Sequence, residues 1–269
     1  AMLFHDIVPR LREEIVFIAP DERMVTYIAC GKVNYQIVGM SSVEYPDLPS
    51  FEQTDRITLN AKILRDMIRQ TVYAVSEYTA KPIYTGSLYE IEDGVFKIIA
   101  IDGYRMAIRS ENVDSESKNR FVVPGKTQHE VLKLLTDDEE NTEIIIGQRH
   151  ITFKIKNYRI ISRLIEGTFI EYKSAIPKET KTEVVINTRT IIDAVERMSL
   201  LNNDRIQSPV RCIFSDDEIK LSCTSAVGRA NDVISVPIIG ESVEIGFNNR
   251  YLLDALKNAD TDEIKLILN

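Results

Sequence analysis

Near the middle of the chain, Asp102-Gly103-Tyr104-Arg105-Met106 places a carboxylate, a phenol ring, a guanidinium and a soft thioether within one short run. A bare turn would be satisfied by small polar residues. Turn statistics by themselves favour a structural hairpin whose arginine is solvated, and the ring, guanidinium and thioether at its exit keep a recognition role open beside it. Reaction chemistry is less well supported. His5, His129 and His150 have no spacing suited to a metal or a triad, and the chain has no Gly-x-Ser-x-Gly, no P-loop and no Gly-rich phosphate cradle. Cys30, Cys212 and Cys223 are odd in number, widely spread and never in Cys-x-x-Cys. They read as reduced core residues, and no metal or cofactor is expected. The enzymatic alternative is a hydrolase on a repeated α+β scaffold, using Asp102 with His129 or His150.

The elements that must position this run follow from periodicity. Apolar-rich segments flank Asp102-Gly103, and Asp-Gly between such segments predicts a tight hairpin through a type I′ turn. A meander is expected over Pro82 to Glu92, Val95 to Ile101 and Tyr104 to Arg109, with Asp93-Gly94 as its other turn. Before it, Asn60 is a good N-cap for a helix to about Val75, with Ile63, Leu64, Met67, Ile68 and Val72 as its apolar stripe. After it come a strand at Arg120 to Val123, a short helix beyond Pro124, and strands at Thr142 to Ile146, Ile151 to Lys156 and Tyr158 to Arg163. The start of the chain shows helical spacing over residues 3–13, in which Pro9 either kinks the helix or stands near its start. Strands follow at Ile15 to Ile18, Met24 to Cys30 and Val33 to Val38. Tyr45 to Pro49 and Glu166 to Pro177 read as extended connectors.

The pattern repeats. Val184-Val185-Ile186-Asn187 with Ile191, Ile192, Asp193 and Val195 restates Ile57-Thr58-Leu59-Asn60 with Ile63, Leu64, Asp66 and Ile68, about 127 residues later. A second register relates the stretches at His5, His129 and Arg250. A period this long implies repeated domains rather than a solenoid. The divisions expected are 1–53, the second half of a module; 54–181, a complete module; and 182–269, an unfinished one. Three complete modules would need roughly 380 residues, so the sequence is expected to lack parts of the first and last.

With 44% hydrophobic and 28% charged residues, the composition is that of an ordinary globular chain. The first residues lack the basic start and long apolar core of a signal peptide, and a cytoplasmic protein is expected. A net charge of −8 argues against nucleic acid only if the charges are evenly mixed. They are not. Lys62, Arg65 and Arg69 fall on the helix face opposite the apolar stripe. The other helices contribute Arg10 and Arg12, Lys126 and Lys133, Arg189 and Arg197, and Arg250 and Lys257. Acidic residues gather instead in loops and strand ends, although Asp66 and Asp193 interrupt the basic faces. Basic helices gathered on one surface can hold a polyanion by non-specific, salt-sensitive attraction.

Four ordered motifs carry a family resemblance. Asp102 to Ala107, Val122-Val123-Pro124-Gly125-Lys126, Leu164 to Phe169 with Tyr172, and Ile245 to Asn248 with Tyr251-Leu252-Leu253 resemble the bacterial DNA polymerase III β subunit, the sliding clamp. The resemblance implies an α+β fold of tandem clamp domains, each with two helices packed on antiparallel sheets. Helices would line the hole of a homodimeric ring around duplex DNA, acting as a tether without catalysis. The DNA-facing residues it implies, together with the basic faces, are Lys62, Arg65, Arg69, Lys81, Ile83, Lys126, Arg189 and Arg197. By resemblance, Tyr84, Ile101, Gly103, Tyr104, Arg105, Met106, Ile170, Ser174, Ala175, Asn248 and Tyr251 would form a pocket. The polymerase III catalytic subunit, the clamp loader, repair polymerases and mismatch repair proteins would insert a short apolar and aromatic peptide there. Tyr35 of one chain would meet Leu200 and Leu201 of another. Tyr104 stands where a His is common, Met106 where a Leu is common, and Ile83 where an aromatic is frequent.

Overall fold

The apolar stripes become helices laid on antiparallel sheets. The computed structural model describes residues 2–12, 15–41, 43, 55–78, 80–136, 140–201 and 208–269, and the chain divides into two compact units, 1–50 and 51–269. In the first unit, α1 (Met2–Ile7) passes into a single 3-10 turn, Val8–Arg10. Pro9 has no N–H for a helical ladder, so the α-helix ends before it, neither kinking through the proline nor starting there. Then β1 (Phe17–Pro20), β2 (Val25–Cys30) and β3 (Val33–Val38) form an antiparallel sheet in that order. The first strand lies two residues later than its apolar run suggests. The connector at Tyr45 to Pro49 and the boundary at 53/54 lie outside the described residues.

The second unit contains two copies of one arrangement. The first has β4 (Asp55–Asn60), α2 (Ala61–Val72), β5 (Gly86–Glu92), β6 (Val95–Ile101), β7 (Met106–Asn112) and β8 (Asn119–Pro124). It continues with α3 (Gly125–Leu134), β9 (Asn141–Ile146), β10 (His150–Ile155) and β11 (Tyr158–Arg163). The second copy has β12 (Thr182–Asn187), α4 (Thr188–Ser199), β13 (Val210–Ser215), β14 (Glu218–Ser225) and β15 (Gly228–Ser235). The short β16 (Ile238–Gly240), β17 (Val243–Phe247), α5 (Asn249–Lys257) and β18 (Glu263–Leu268) follow. The 127-residue offset holds at the start of both: β4 begins at Asp55 and β12 at Thr182, α2 at Ala61 and α4 at Thr188.

Topology repeats with sequence. The sheet ordered β7-β6-β5-β8 is matched by β15-β14-β13-β17, and the β9–β4 pairing by β18–β12. Each repeat begins its first helix in the same way. The Asn60 side chain accepts the Lys62 N–H and the Asn187 side chain accepts the Thr190 N–H, satisfying a donor that the first helical turn leaves over. On α2 the stripe turns inward at Leu64, Met67, Ile68 and Val72, the first three inaccessible to solvent beneath Ile57, Tyr89 and Phe153. Ile63, about a hundred degrees round the helix from Leu64, stands exposed instead of joining them. A second core forms around Val195, Met198, Phe214 and Leu221. Burying such side chains is worth about 1.5–3 kcal/mol each, so these cores fix where the loops above them stand. Among the described residues, no helix is long and apolar enough to cross a membrane.

Two local expectations change. The segment from Pro82 to Glu92 is not one strand: Pro82–Thr85 forms a 3-10 turn and β5 starts at Gly86. Proline suits the first position of such a turn, where its missing N–H costs nothing. The two Asp-Gly turns also differ. At Asp93-Gly94 both residues have positive φ, 53° and 73°, between paired Glu92 and Val95, as a type I′ turn requires. At Asp102-Gly103 only Gly103 has positive φ, and the last pair of the ladder is Ile101 with Met106. The loop is therefore four residues long, Asp102 to Arg105. The corresponding β14–β15 turn joins Ser225 to Gly228 through two residues.

Candidate partner-docking pocket and basic helix faces

The longer loop has a physical cause in its first residue. Asp102 Oδ1 accepts the backbone N–H groups of Tyr104 at 2.9 Å and Arg105 at 3.1 Å, and its own N–H donates to the Arg105 carbonyl at 3.3 Å. An aspartate that satisfies the backbone locally replaces the next rung of the ladder. The carboxylate's other oxygen takes Arg105 Nε at 2.9 Å. The hydrolase reading had given this carboxylate to His129 or His150, but its oxygens are engaged in the loop.

Arg105 then reaches out of the loop in two more directions. Nη1 donates to Asp254 Oδ2 at 2.7 Å and Nη2 to the Tyr73 carbonyl at 2.8 Å. The guanidinium lies 4.2 Å from the centre of the Tyr251 ring and 5.3 Å from that of Tyr73. Burial works against the charge, but hydrogen bonds to Asp254 and Asp102 outweigh it and hold the Arg105 pKa above its ordinary value. Burial also raises the Tyr73 phenol. Tyr104, 85% exposed, stands with its ring centre 6.2 Å from that of Tyr251. A cleft of about 740 Å³ opens beside them, lined among others by Tyr73, Tyr78, Lys126 and Arg250.

On the other side of the loop lies a second apolar surface. Half-buried Tyr84, Ile101 and Met106, with Ile83, pack against buried Leu88, Ile99, Val122, Phe169 and Tyr172. Tyr84 meets Phe169 edge-on at 5.9 Å. The floor is anchored below by a polar pair: the Tyr172 hydroxyl donates to Glu90 at 2.8 Å, and burial together with that carboxylate raises its pKa. Tyr172 also begins the 3-10 turn Tyr172–Ala175 that presents Ser174 and Ala175 to solvent. Ile170, next to Phe169, is exposed, and Gly103 has open space where a side chain would stand. Asn248 caps α5 through the Arg250 and Tyr251 N–H groups and so fixes where Tyr251 emerges.

The pocket residues therefore fall into two joined groups. Tyr84, Ile101 and Met106 share one apolar cluster, while Tyr104, Arg105 and Tyr251 share a stacked wall. Sequence reasoning named Phe169 and Tyr172 as motif residues without giving them a place at the pocket, and it missed Asp254 and Tyr73 there. Asp254 carried one usable signal, its position three residues after Tyr251 on the same helix face.

The basic faces keep less free charge than their sequence suggests. Lys62 and Lys126 are exposed. Arg65 donates to the Leu135 carbonyl at 3.4 Å and lies 4.0 Å from Asp66. Arg69 pairs with Asp260, Arg189 with Asp193 at 2.9 Å, and Arg197 with Asp232. Lys81 is exposed, with its ammonium 5.9 Å from the centre of the Tyr84 ring. Ile83 belongs to the apolar cluster and faces Gly167. Tyr35 lies on β3, at the edge of its sheet. Leu200 is 83% exposed at the end of α4, while Leu201 packs on the second core.

Comparison with known proteins places these features in a family. The profile described as DNA polymerase III beta subunit, central domain, matches residues 58–171, and the one described as its C-terminal domain matches 173–269. The beta sliding clamp of Halalkalibacterium halodurans is 33% identical over 273 residues, spanning 99% of this chain and 72% of that protein. That of Bacillus subtilis is 33% identical over 271 residues, with the same coverage. A putative DNA polymerase III beta subunit from Eubacterium rectale superposes with a TM-score of 0.94 at 30% identity, over 99% of this chain and 73% of that one. The B. subtilis DNA polymerase sliding clamp superposes at 0.93 and 33% identity, over 99% and 71%.

Proposed function

Because this chain belongs to the DNA polymerase III beta subunit family, the sliding clamps, it is a non-catalytic processivity factor, and we propose how its own residues serve that task. The family implies DNA, a polymerase and a second copy of the chain as partners. In this reading the modules divide at 1–53, 54–181 and 182–269 and join a second chain into a cytoplasmic ring through Tyr35 against Leu200 and Leu201. Lys62, Lys126 and Lys81, with the paired arginines Arg65, Arg69, Arg189 and Arg197, face duplex DNA, and Ile83 lies beside it. Contact with phosphates alone carries no sequence information, which suits a ring that slides.

The pocket takes a short apolar and aromatic peptide from the polymerase III catalytic subunit, the clamp loader, repair polymerases and mismatch repair proteins. One observation carries this reading: Tyr84, Ile101 and Met106 are only half-buried over a fully buried floor, leaving an apolar rim beside the exposed Tyr104 and Ile170. Apolar anchors seated in such a rim supply most of a peptide's affinity, and a few polar groups set its register. The test is extension of primed circular DNA by the cognate polymerase, with wild-type protein and Met106→Ala. Stimulation by the wild type that falls with the variant supports the reading. Absence of stimulation by the wild type overturns the tether, and equal stimulation by both overturns the pocket.

A further inference from the structure

We propose that Asp254 is the positioning residue of the docking pocket: it draws Arg105 out of the β6–β7 loop and seats it over Tyr251, so that the Tyr104–Tyr251 wall stands formed before a peptide arrives. This rests on the pocket reading above. The Asp254 carboxylate binds Arg105, and its role runs through that guanidinium.

The geometry gives the reason. Arg105 uses three separate nitrogens on three partners: Nε on Asp102, Nη1 on Asp254 and Nη2 on the Tyr73 carbonyl. A planar fork bound along three directions has its plane fixed, and a fixed plane 4.2 Å from the Tyr251 ring centre fixes the ring as well. Asp102 and Tyr73 belong to the first repeat of the unit, whereas Asp254 and Tyr251 lie one helical turn apart on α5. Since Asn248 sets the start of α5, Asp254 and Tyr251 move as one body. Without Asp254, Arg105 hydrogen-bonds only within its own repeat, and the Tyr251 ring alone holds it toward α5. The stack on Tyr251 is then no longer fixed in direction, and Tyr104, with most of its surface in solvent, faces a ring that moves. A wall that must be ordered when the peptide binds lowers affinity without removing any peptide contact.

The surroundings supply a control. A second acidic residue, Asp260, also ties the repeats together by pairing with Arg69 and accepting Gln70 Nε2 at 2.5 Å, but it makes no contact with the Arg105 stack. If loosening of the junction were all that mattered, the two acids would be equivalent.

The experiment is fluorescence anisotropy of a labelled Leu-Ser-Leu-Phe peptide with the whole chain. Asp254→Asn is expected to weaken binding about tenfold, and Asp260→Asn to leave it within about twofold. Asp254→Glu should recover part of the loss. In an Arg105→Gln background, Asp254→Asn should cost nothing further. In nitrogen-15 NMR, Asp254→Asn should lose the slowly exchanging Arg105 Nη1–H signal that Asp260→Asn keeps, while the Nε–H held by Asp102 persists in both. Equal losses for Asp254→Asn and Asp260→Asn, or a full further loss in the Arg105→Gln background, would overturn the proposal. So would unchanged binding by Asp254→Asn when Met106→Ala binds weakly. If Met106→Ala also binds unchanged, the pocket reading itself fails and takes this inference with it.

Discussion

Asp102 holds Arg105 by both backbone and side chain, accepting its amide N–H at 3.1 Å and its Nε at 2.9 Å. Removing the carboxylate therefore unties two loop amides and the Arg105 Nε together, leaving the guanidinium on Asp254 and the Tyr73 carbonyl. Asp102→Ala is expected to destabilise the chain by about 2 kcal/mol, the scale of hydrogen bonds to a charged group, read as a lower urea midpoint at unchanged slope. Asp102→Asn keeps an oxygen for the two backbone N–H groups and should lose roughly half as much. A wild-type midpoint for Asp102→Ala would mean that the loop is held by something else.

Gly86 meets a different constraint, since its backbone is ordinary and only the space is missing. A Cβ there would stand 2.4 Å from the Val123 carbonyl oxygen and 2.9 Å from Ile165 Cδ1. The first of these neighbours is backbone in the adjacent strand and cannot swing away. Gly86→Ala should cost more than about 3 kcal/mol, whereas Gly125→Ala, whose nearest neighbour is a Val75 methyl at 3.1 Å, should cost clearly less. Parallel thermal melts of the two variants decide this, and equal losses would contradict it.

The helix faces give a graded prediction for duplex DNA. Each lysine or arginine that neutralises a phosphate adds about one unit to the slope of log affinity against log salt. Lys62→Ala and Lys126→Ala should each lower that slope by nearly the full amount. Arg189→Ala and Arg197→Ala should lower it less, because Asp193 and Asp232 already neutralise those side chains. Four equal decrements in a salt titration would count against the ion pairs surviving on DNA.

Cys212 links stability to alkaline pH. Burial pushes its thiol from 9.0 up to about 12. Between those values the unfolded chain releases a proton that the folded chain keeps, so the thiol's contribution is intact below pH 9 and declines as pH rises toward 12. Urea midpoints of the wild type should therefore fall more steeply than those of Cys212→Val between neutral pH and about pH 10. Parallel curves would show that the thiol titrates alike in both states.

The sequence announced what depends on near neighbours. The Asn60 and Asn187 caps, the stripe of Leu64, Met67, Ile68 and Val72, and the Asp93-Gly94 turn each rest on a few adjacent residues and stand in the structure as their patterns imply, with Ile63 alone of the stripe turned outward. Asp102-Gly103 misled because its aspartate bonds forward to two amides, which no residue pair displays. The site's polar joints were hidden for another reason. Arg105 and Asp254 are 149 residues apart and Arg69 and Asp260 are 191 apart, so only packing brings them together. Those joints also changed the meaning of individual charges, since Arg69 and Arg197 read as free cations until their partners arrived from other elements.

The four-residue loop at Asp102 to Arg105 has a counterpart of only two residues between β14 and β15. Duplicated modules would otherwise offer duplicated berths. On the pocket reading, a lengthened turn in one of the two described copies leaves one berth between them, so proteins that use it would queue. Handover from one to the next then depends on residence time and local abundance, and a modest difference in affinity becomes a rule of precedence.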